Sequence, residues 1–161
     1  MTAQELARQI ESWPLERLRP YERNACTHSQ QQVAKIAASI QEFGFTNPIL
    51  VDADSGIVAG HGRLAAARLL GLDQVPVIEL THLSPAQVRA YRLADNRLAR
   101  EAGWDAELLA LELQELELEG FNPALTGFDD DEIKQWLAPP PESPLPERPG
   151  RRASLRPAMA I

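Results

Sequence analysis

Ile57-Val58-Ala59-Gly60-His61-Gly62-Arg63-Leu64-Ala65-Ala66-Ala67-Arg68-Leu69-Leu70-Gly71 is the stretch on which the reading of this 161-residue chain turns. Ile57-Val58-Ala59 suits a strand, and Leu64 to Leu70 is a strong helix former that Gly71 ends. Gly60 and Gly62 fall at the junction. A backbone that must approach a phosphate closely cannot carry a Cβ at the contact point, and glycine meets that need. The first turn of the helix presents free N–H donors and a partial positive charge. Arg63 adds a forked cation for phosphate oxygens, and His61 can donate a hydrogen bond to the same group. A second reading stays open at this point: the glycines serve only close strand–helix packing, and Arg63 is a solvated first-turn residue. An arginine there opposes the helix dipole at a cost of about a few tenths of a kcal/mol, which a nearby anion would offset.

Outward from this turn, Pro48-Ile49-Leu50-Val51 reads as a buried strand, and Asp54-Ser55-Gly56 is a turn signal. The two strands on either side of it form a hairpin. Upstream, Ser29 caps a helix whose apolar stripe is Val33, Ile36, Ala37, Ile40 and Phe43, ended by Gly44. Further upstream, Ile10 to Trp13 is a short strand stopped by Pro14, and Leu15 to Asn24 is an irregular connection. Downstream, Val75 to Leu80 is a core strand, with Pro76 marking a sheet edge or the strand's start. Ser84-Pro85-Ala86-Gln87 opens a helix that runs to about Leu98. Asp105 caps another through Leu118, and Asp129 with Glu132 caps a last one ending at Trp136-Leu137.

Charge divides the chain. Residues 1–100 carry 11 basic and 10 acidic side chains, residues 101–137 carry one and 11, and residues 138–161 carry four and two. An acidic middle repels a phosphate backbone, so direct binding of duplex DNA by the ordered part is not expected, and a partner with a basic surface suits residues 101–137 better. Seven of the last 24 residues are proline, which marks 138–161 as a disordered tail. No apolar run reaches the roughly 18 residues that span a membrane. With no signal-type N-terminus and a lone Cys26, the expectation is a cytoplasmic protein with neither a disulfide framework nor a multi-cysteine zinc site.

With its flanks the turn becomes specific. Ile36-Ala37-Ala38-Ser39-Ile40, then Gly44, then Pro48-Ile49-Leu50-Val51, then the box from Ile57 to Gly71, Val75-Pro76-Val77 and Asp95-Asn96 together resemble the ParB/sulfiredoxin superfamily. Leu18-Arg19-Pro20-Tyr21 through Asn96 is most similar to ParB-like domains of phages and mobile elements, often fused ahead of a DNA methyltransferase. The resemblance covers about residues 10–120 and implies an α+β fold: a small mixed sheet with packed helices, spanning residues 1–100, followed by an acidic helical extension (101–137) packed on it. It implies a site for a nucleoside triphosphate, CTP or ATP, with Gly60, His61, Gly62 and Arg63 at the phosphates and Asp95 and Asn96 facing Mg²⁺. It also implies work in phage or mobile-element DNA metabolism beside a DNA-modifying or DNA-binding protein partner, such as a methyltransferase.

The departures are equally informative. The usual ParB box is Gly-Glu-Arg-Arg, and His61-Gly62 replaces its middle pair, so one phosphate-facing arginine is absent. Sulfiredoxins carry their nucleophilic cysteine where His61 stands, which argues against that reductase activity. Weak NTPase or metal-dependent nuclease activity stays open, as does a purely protein-binding role with a degenerate site. ParB partition proteins continue into a basic helix-turn-helix domain, whereas residues 101–137 have the opposite charge. For Asp95 and Asn96 a capping or core-bonding role is the alternative.

Three further features have two readings each. Leu108, Leu109, Leu111, Leu113, Leu116 and Leu118 suggest a helix buried on a broad face, either against the core or in a homodimer contact. Trp104 and Trp136 read as anchors of these helices, the alternative being stacking on bases. Arg89, Arg92, Arg97 and Arg100 form a basic helix face that either contacts phosphate or pairs with the acids of residues 101–119, the pairing being preferred.

Overall fold

Residues 9–138 are described by the computed structural model; the tail expected to be disordered lies, but for Ala138, outside the described residues. Four short strands make one mixed sheet: β1 (Ile10–Pro14), β2 (Ile49–Val51), β3 (Ile57–Ala59) and β4 (Gln74–Glu79). Their order is β1-β4-β2-β3. β2 and β3 form the expected antiparallel hairpin, β4 runs parallel to β2, and β1 closes the other edge antiparallel to β4. The hairpin turn is held by Asp52, whose Oδ1 accepts from the N–H groups of Asp54 (3.0 Å) and Gly56 (2.8 Å).

Pro76 does not mark an edge, because β4 lies inside the sheet. The lost N–H is tolerated because the ladder to β2 begins only at Val77, opposite Ile49. At Pro76 the strand has a single paired neighbour, Ser12 of β1. The missing donor thus falls where the β2 side asks for none.

The helices begin where their caps put them. Ser29 Oγ accepts from the Gln32 N–H at the start of α1 (Gln30–Phe43), and Gly44 follows it at φ +83°. α2 (His61–Leu69) starts directly after Gly60. α3 (Pro85–Glu101) has a full capping box between Ser84 and Gln87. Asp105 caps α4 (Ala106–Leu118), and Asp129 with Glu132 forms a second capping box on α5 (Asp130–Leu137). Two 3₁₀ turns, Leu15–Arg17 and Pro123–Thr126, fill the longer connections.

Both faces of the sheet are covered, which explains why Ile57, Val58 and Ala59 are all buried. One face packs Trp13, Leu15, Leu18, Ile49, Val51, Ile57, Leu64, Ala67, Val75 and Val77 together. The other packs Val58 and Leu80 against Val88 of α3. Each such aliphatic side chain, fully buried, contributes about 1.5–3 kcal/mol.

The C-terminal helices meet this body through Phe121, stacked on Phe43 at 6.1 Å, and through Lys35 Nζ, which donates to the Gly127 carbonyl at 2.9 Å. The buried face of α4 is narrower than its leucine count suggested. Leu109 and Leu113 are buried and Leu116 half-buried, but Leu108, Leu111 and Leu118 are 62%, 49% and 82% exposed. Among the described residues one helix packs on this 13-residue helix, which covers only one stripe. Trp104, expected to anchor a helix, is exposed and meets Phe128 edge-on at 5.4 Å.

Candidate functional site

The strand-to-helix turn is tight because Gly60 adopts φ +112°, a conformation that L side chains avoid. A Cβ there would stand 3.0 Å from Arg63 Nη2 and 3.1 Å from Ile49 Cγ1. Gly62 has a different reason. It is buried in the first turn of α2, and a Cβ would lie 2.9 Å from Ile36 Cδ1 and 3.1 Å from His28 Cε1. Its small size seats α1 and the His28 loop against the turn, so the packing reading holds for Gly62 whatever else it does.

The turn forms one wall of a cavity of about 150 Å³, and Asp95 and Asn96 of α3 stand on another. All six residues singled out from the sequence therefore meet: Gly60, His61, Gly62, Arg63, Asp95 and Asn96 line the same cavity. Arg63 is not a solvated first-turn residue. Its Nε is buried and has no hydrogen-bond partner. Burial pushes the guanidinium below its ordinary pKa, while Asp95 and Tyr91 pull it back up. An unpaired buried donor on a cation costs several kcal/mol in principle, and an anion in the cavity is what would satisfy it.

Asp95 lines the cavity with Arg63, and Tyr91 is bonded to Asp95. Tyr91 donates to Asp95 Oδ1 at 3.4 Å, and burial, then the carboxylate, raise the Tyr91 pKa. Asn96 Nδ2 donates back to the Arg92 carbonyl at 2.9 Å, so its Oδ1 is the free polar end. A carboxylate and an amide oxygen are hard donors of the kind Mg²⁺ takes. Among the described residues no group of three or more His, Cys, Asp or Glu side chains is arranged to hold a metal by itself.

His61 is already committed on one side. Its Nε2 accepts from the Tyr21 N–H at 3.1 Å, which fixes the neutral tautomer with the proton on Nδ1. Burial first, then His28 and Arg92, lower its pKa. The unfolded chain therefore binds more protons than the folded one just below the ordinary histidine pKa of about 6.5. Stability supplied by neutral His61 is complete above that value and is lost as pH falls through the lowered folded value. Melting temperatures across pH 5–8 should show this loss, and His61→Gln, which keeps an acceptor for Tyr21, should flatten the profile relative to wild type.

A second, larger cavity of about 500 Å³ adjoins the first and shares Asn24, Cys26 and Asn96 with it. Arg23, Arg89, Arg92, Arg97 and Arg100 line it. The expected pairing of the helix arginines with the acids of residues 101–119 is made by Arg97 alone, to Glu101 at 3.1 Å. Arg92 instead binds Asp52 (3.1 Å) and the Ile57 carbonyl (3.0 Å), and lies over the Tyr21 ring at 3.8 Å. It clamps α3 to the hairpin. Among the described residues Arg89 and Arg100 have no ion-pair partner. Helical spacing pointed to this basic face; nothing periodic pointed to Arg23, Asn24 or Tyr21, which an irregular loop delivers.

Comparison with known proteins bears on both halves of the chain. Residues 1–97 match the ParB N-terminal domain. Residues 107–157 match the ParB-methyltransferase HTH domain, a match that runs from the acidic helices into the proline-rich tail without a break at 137. The ParB-like nuclease domain-containing protein YnaK of Escherichia coli K12 is 53% identical over 74 residues, 46% of this chain and 85% of that one. The probable chromosome 2-partitioning protein ParB of Deinococcus radiodurans is 37% identical over 92 residues, 52% of this chain but only 31% of that protein. Among solved structures, the C-terminally truncated chromosome-partitioning protein ParB from Caulobacter crescentus, complexed with CTP-gamma-S, has a similar fold. Its TM-score is 0.58 at 24% identity, over 80% of this chain and 70% of the other. The first match spans more than half of the chain and includes the Gly60 turn and Asp95-Asn96, so the chain belongs to the ParB N-terminal domain family.

Proposed function

We propose that this chain binds a nucleoside triphosphate, CTP or ATP, together with Mg²⁺, and acts in phage or mobile-element DNA metabolism beside a methyltransferase or another DNA-modifying protein. The buried, unpaired Nε of Arg63, at the wall of a cavity entered by a glycine turn, carries the reading. The phosphates sit against Gly60, His61, Gly62 and Arg63, with His61 donating through Nδ1. Asp95 and Asn96 Oδ1 would hold Mg²⁺, which neutralises phosphate charge when bound. The neighbouring arginine-lined cavity has the volume for the rest of a nucleotide. The similar Caulobacter ParB, complexed with a CTP analogue, supports the choice of ligand. The match to the ParB-methyltransferase HTH domain supports the association, and the charge of residues 101–137 supports a protein partner over duplex DNA.

Hydrolysis of nucleotide or nucleic acid is the weaker reading, because the small cavity offers one carboxylate, Asp95. Calorimetric titration with CTP, ATP, GTP and ADP in Mg²⁺ tests the proposal. CTP or ATP should bind with a Kd below about 1 mM. Absence of heat for all four at millimolar concentration would overturn it.

A further inference from the structure

The exposed side of α4 has a composition of its own. Leu108, Leu111 and Leu118 project from a strip about 80° wide by helical geometry, and each is 49% exposed or more. Glu112, Glu115 and Glu119 run along and beside that strip, and all three are exposed. Exposed leucines usually carry no message when they stand singly. Three on one strip of a helix, beside a row of carboxylates, are a patterned surface. The same helix already buries Leu109 and Leu113 on its opposite side, among the described residues.

We infer that this strip docks a basic amphipathic helix of a protein partner. The occupant follows from charge. Residues 101–137 carry 11 acidic side chains and one basic one, so the same strip of a second copy would meet like charge with like. A helix with an apolar stripe edged by lysine or arginine would cover the leucines and neutralise the glutamates at once. The strip is separate from the arginine-lined cavity, where α3 supplies the wall, so partner and nucleotide engage different helices.

The test uses the full chain and two labelled 18-residue helical peptides, one of leucine and lysine and one of leucine and glutamate in the same pattern. Anisotropy should show the lysine peptide binding at micromolar concentration and the glutamate peptide not binding. Leu108→Ser with Leu111→Ser, which leaves the charge unchanged, should weaken binding by about tenfold. Leu69→Ser, at an equally exposed leucine on α2, should leave binding unchanged. Glu112→Gln with Glu115→Gln should weaken it and flatten its salt dependence, which guards against a serine variant that loosens α4. Binding that ignores the leucine substitutions reduces the effect to bulk charge and overturns the proposal. So does self-association lost in the serine variant, which would make a second copy the occupant. A rise in peptide affinity on removal of residues 139–161 would make the chain's own tail the occupant and overturn it equally.

Discussion

Arg63→Ala will lower the affinity for nucleoside triphosphate by roughly a hundredfold while the melting temperature stays level or rises, because an unpaired buried donor is removed. The two halves have different causes. A charge-assisted, forked contact to phosphate is worth about 3 kcal/mol when it is shielded from water. The free protein gains nothing comparable from the same side chain, since its Nε has no partner and burial already lowers its pKa. Arg63→Lys separates charge from geometry. It keeps the cation, loses the fork, and should fall between the two, near tenfold. Titration calorimetry and thermal melts on the three proteins suffice. If alanine binds as tightly as wild type, Arg63 has no phosphate contact, although the family assignment would stand.

Gly60→Val will be the most destabilising substitution at the turn. The φ of +112° imposes about 1–3 kcal/mol on any residue with a Cβ. The added atoms would also press on Arg63 and on Ile49, which is fully buried and has nowhere to move. A total near 3 kcal/mol corresponds to a drop of roughly 6–12 °C in melting temperature for a chain of this size. Gly103→Ala is the comparison, because a Cβ there meets nothing within 4 Å and its φ is ordinary. Equal shifts for the two would remove the conformational argument for Gly60.

Elements written in local chemistry were legible in the sequence. Ser29, Ser84, Asp105 and Asp129 cap helices because their side chains answer N–H groups two or three residues away, and no tertiary context is needed. The hairpin was legible for the same reason, through Asp54-Ser55-Gly56. The place of β4 inside the sheet was not, because Pro76 reports a missing donor but not which neighbour would have used it. The leucines of α4 misled for a related reason. Periodicity reports that a residue is apolar, and only the number of packed neighbours decides whether it is covered. At the site, the sequence brought out the glycine turn and Asp95-Asn96, but it could not show that Gly62 is held by Ile36 and His28. Nor could it show that Arg92 is spent on Asp52, Ile57 and Tyr21 while Arg89 beside it has no ion-pair partner among the described residues. Those distinctions depend on partners 35 and 40 residues away along the chain.

The sheet order also bears on how the molecule assembles. β1 reaches its partner only after the chain has closed a loop from Pro14 to Gln74, and that entropy must be spent before any β1 contact returns it. Until then Trp13 lacks its strand partner Val75, and β4 presents an open side. The hairpin and α2 need no such closure, since Ile49 to Leu69 is one contiguous stretch. Loop-closure entropy therefore favours early formation of the glycine turn and late docking of the N-terminal strand.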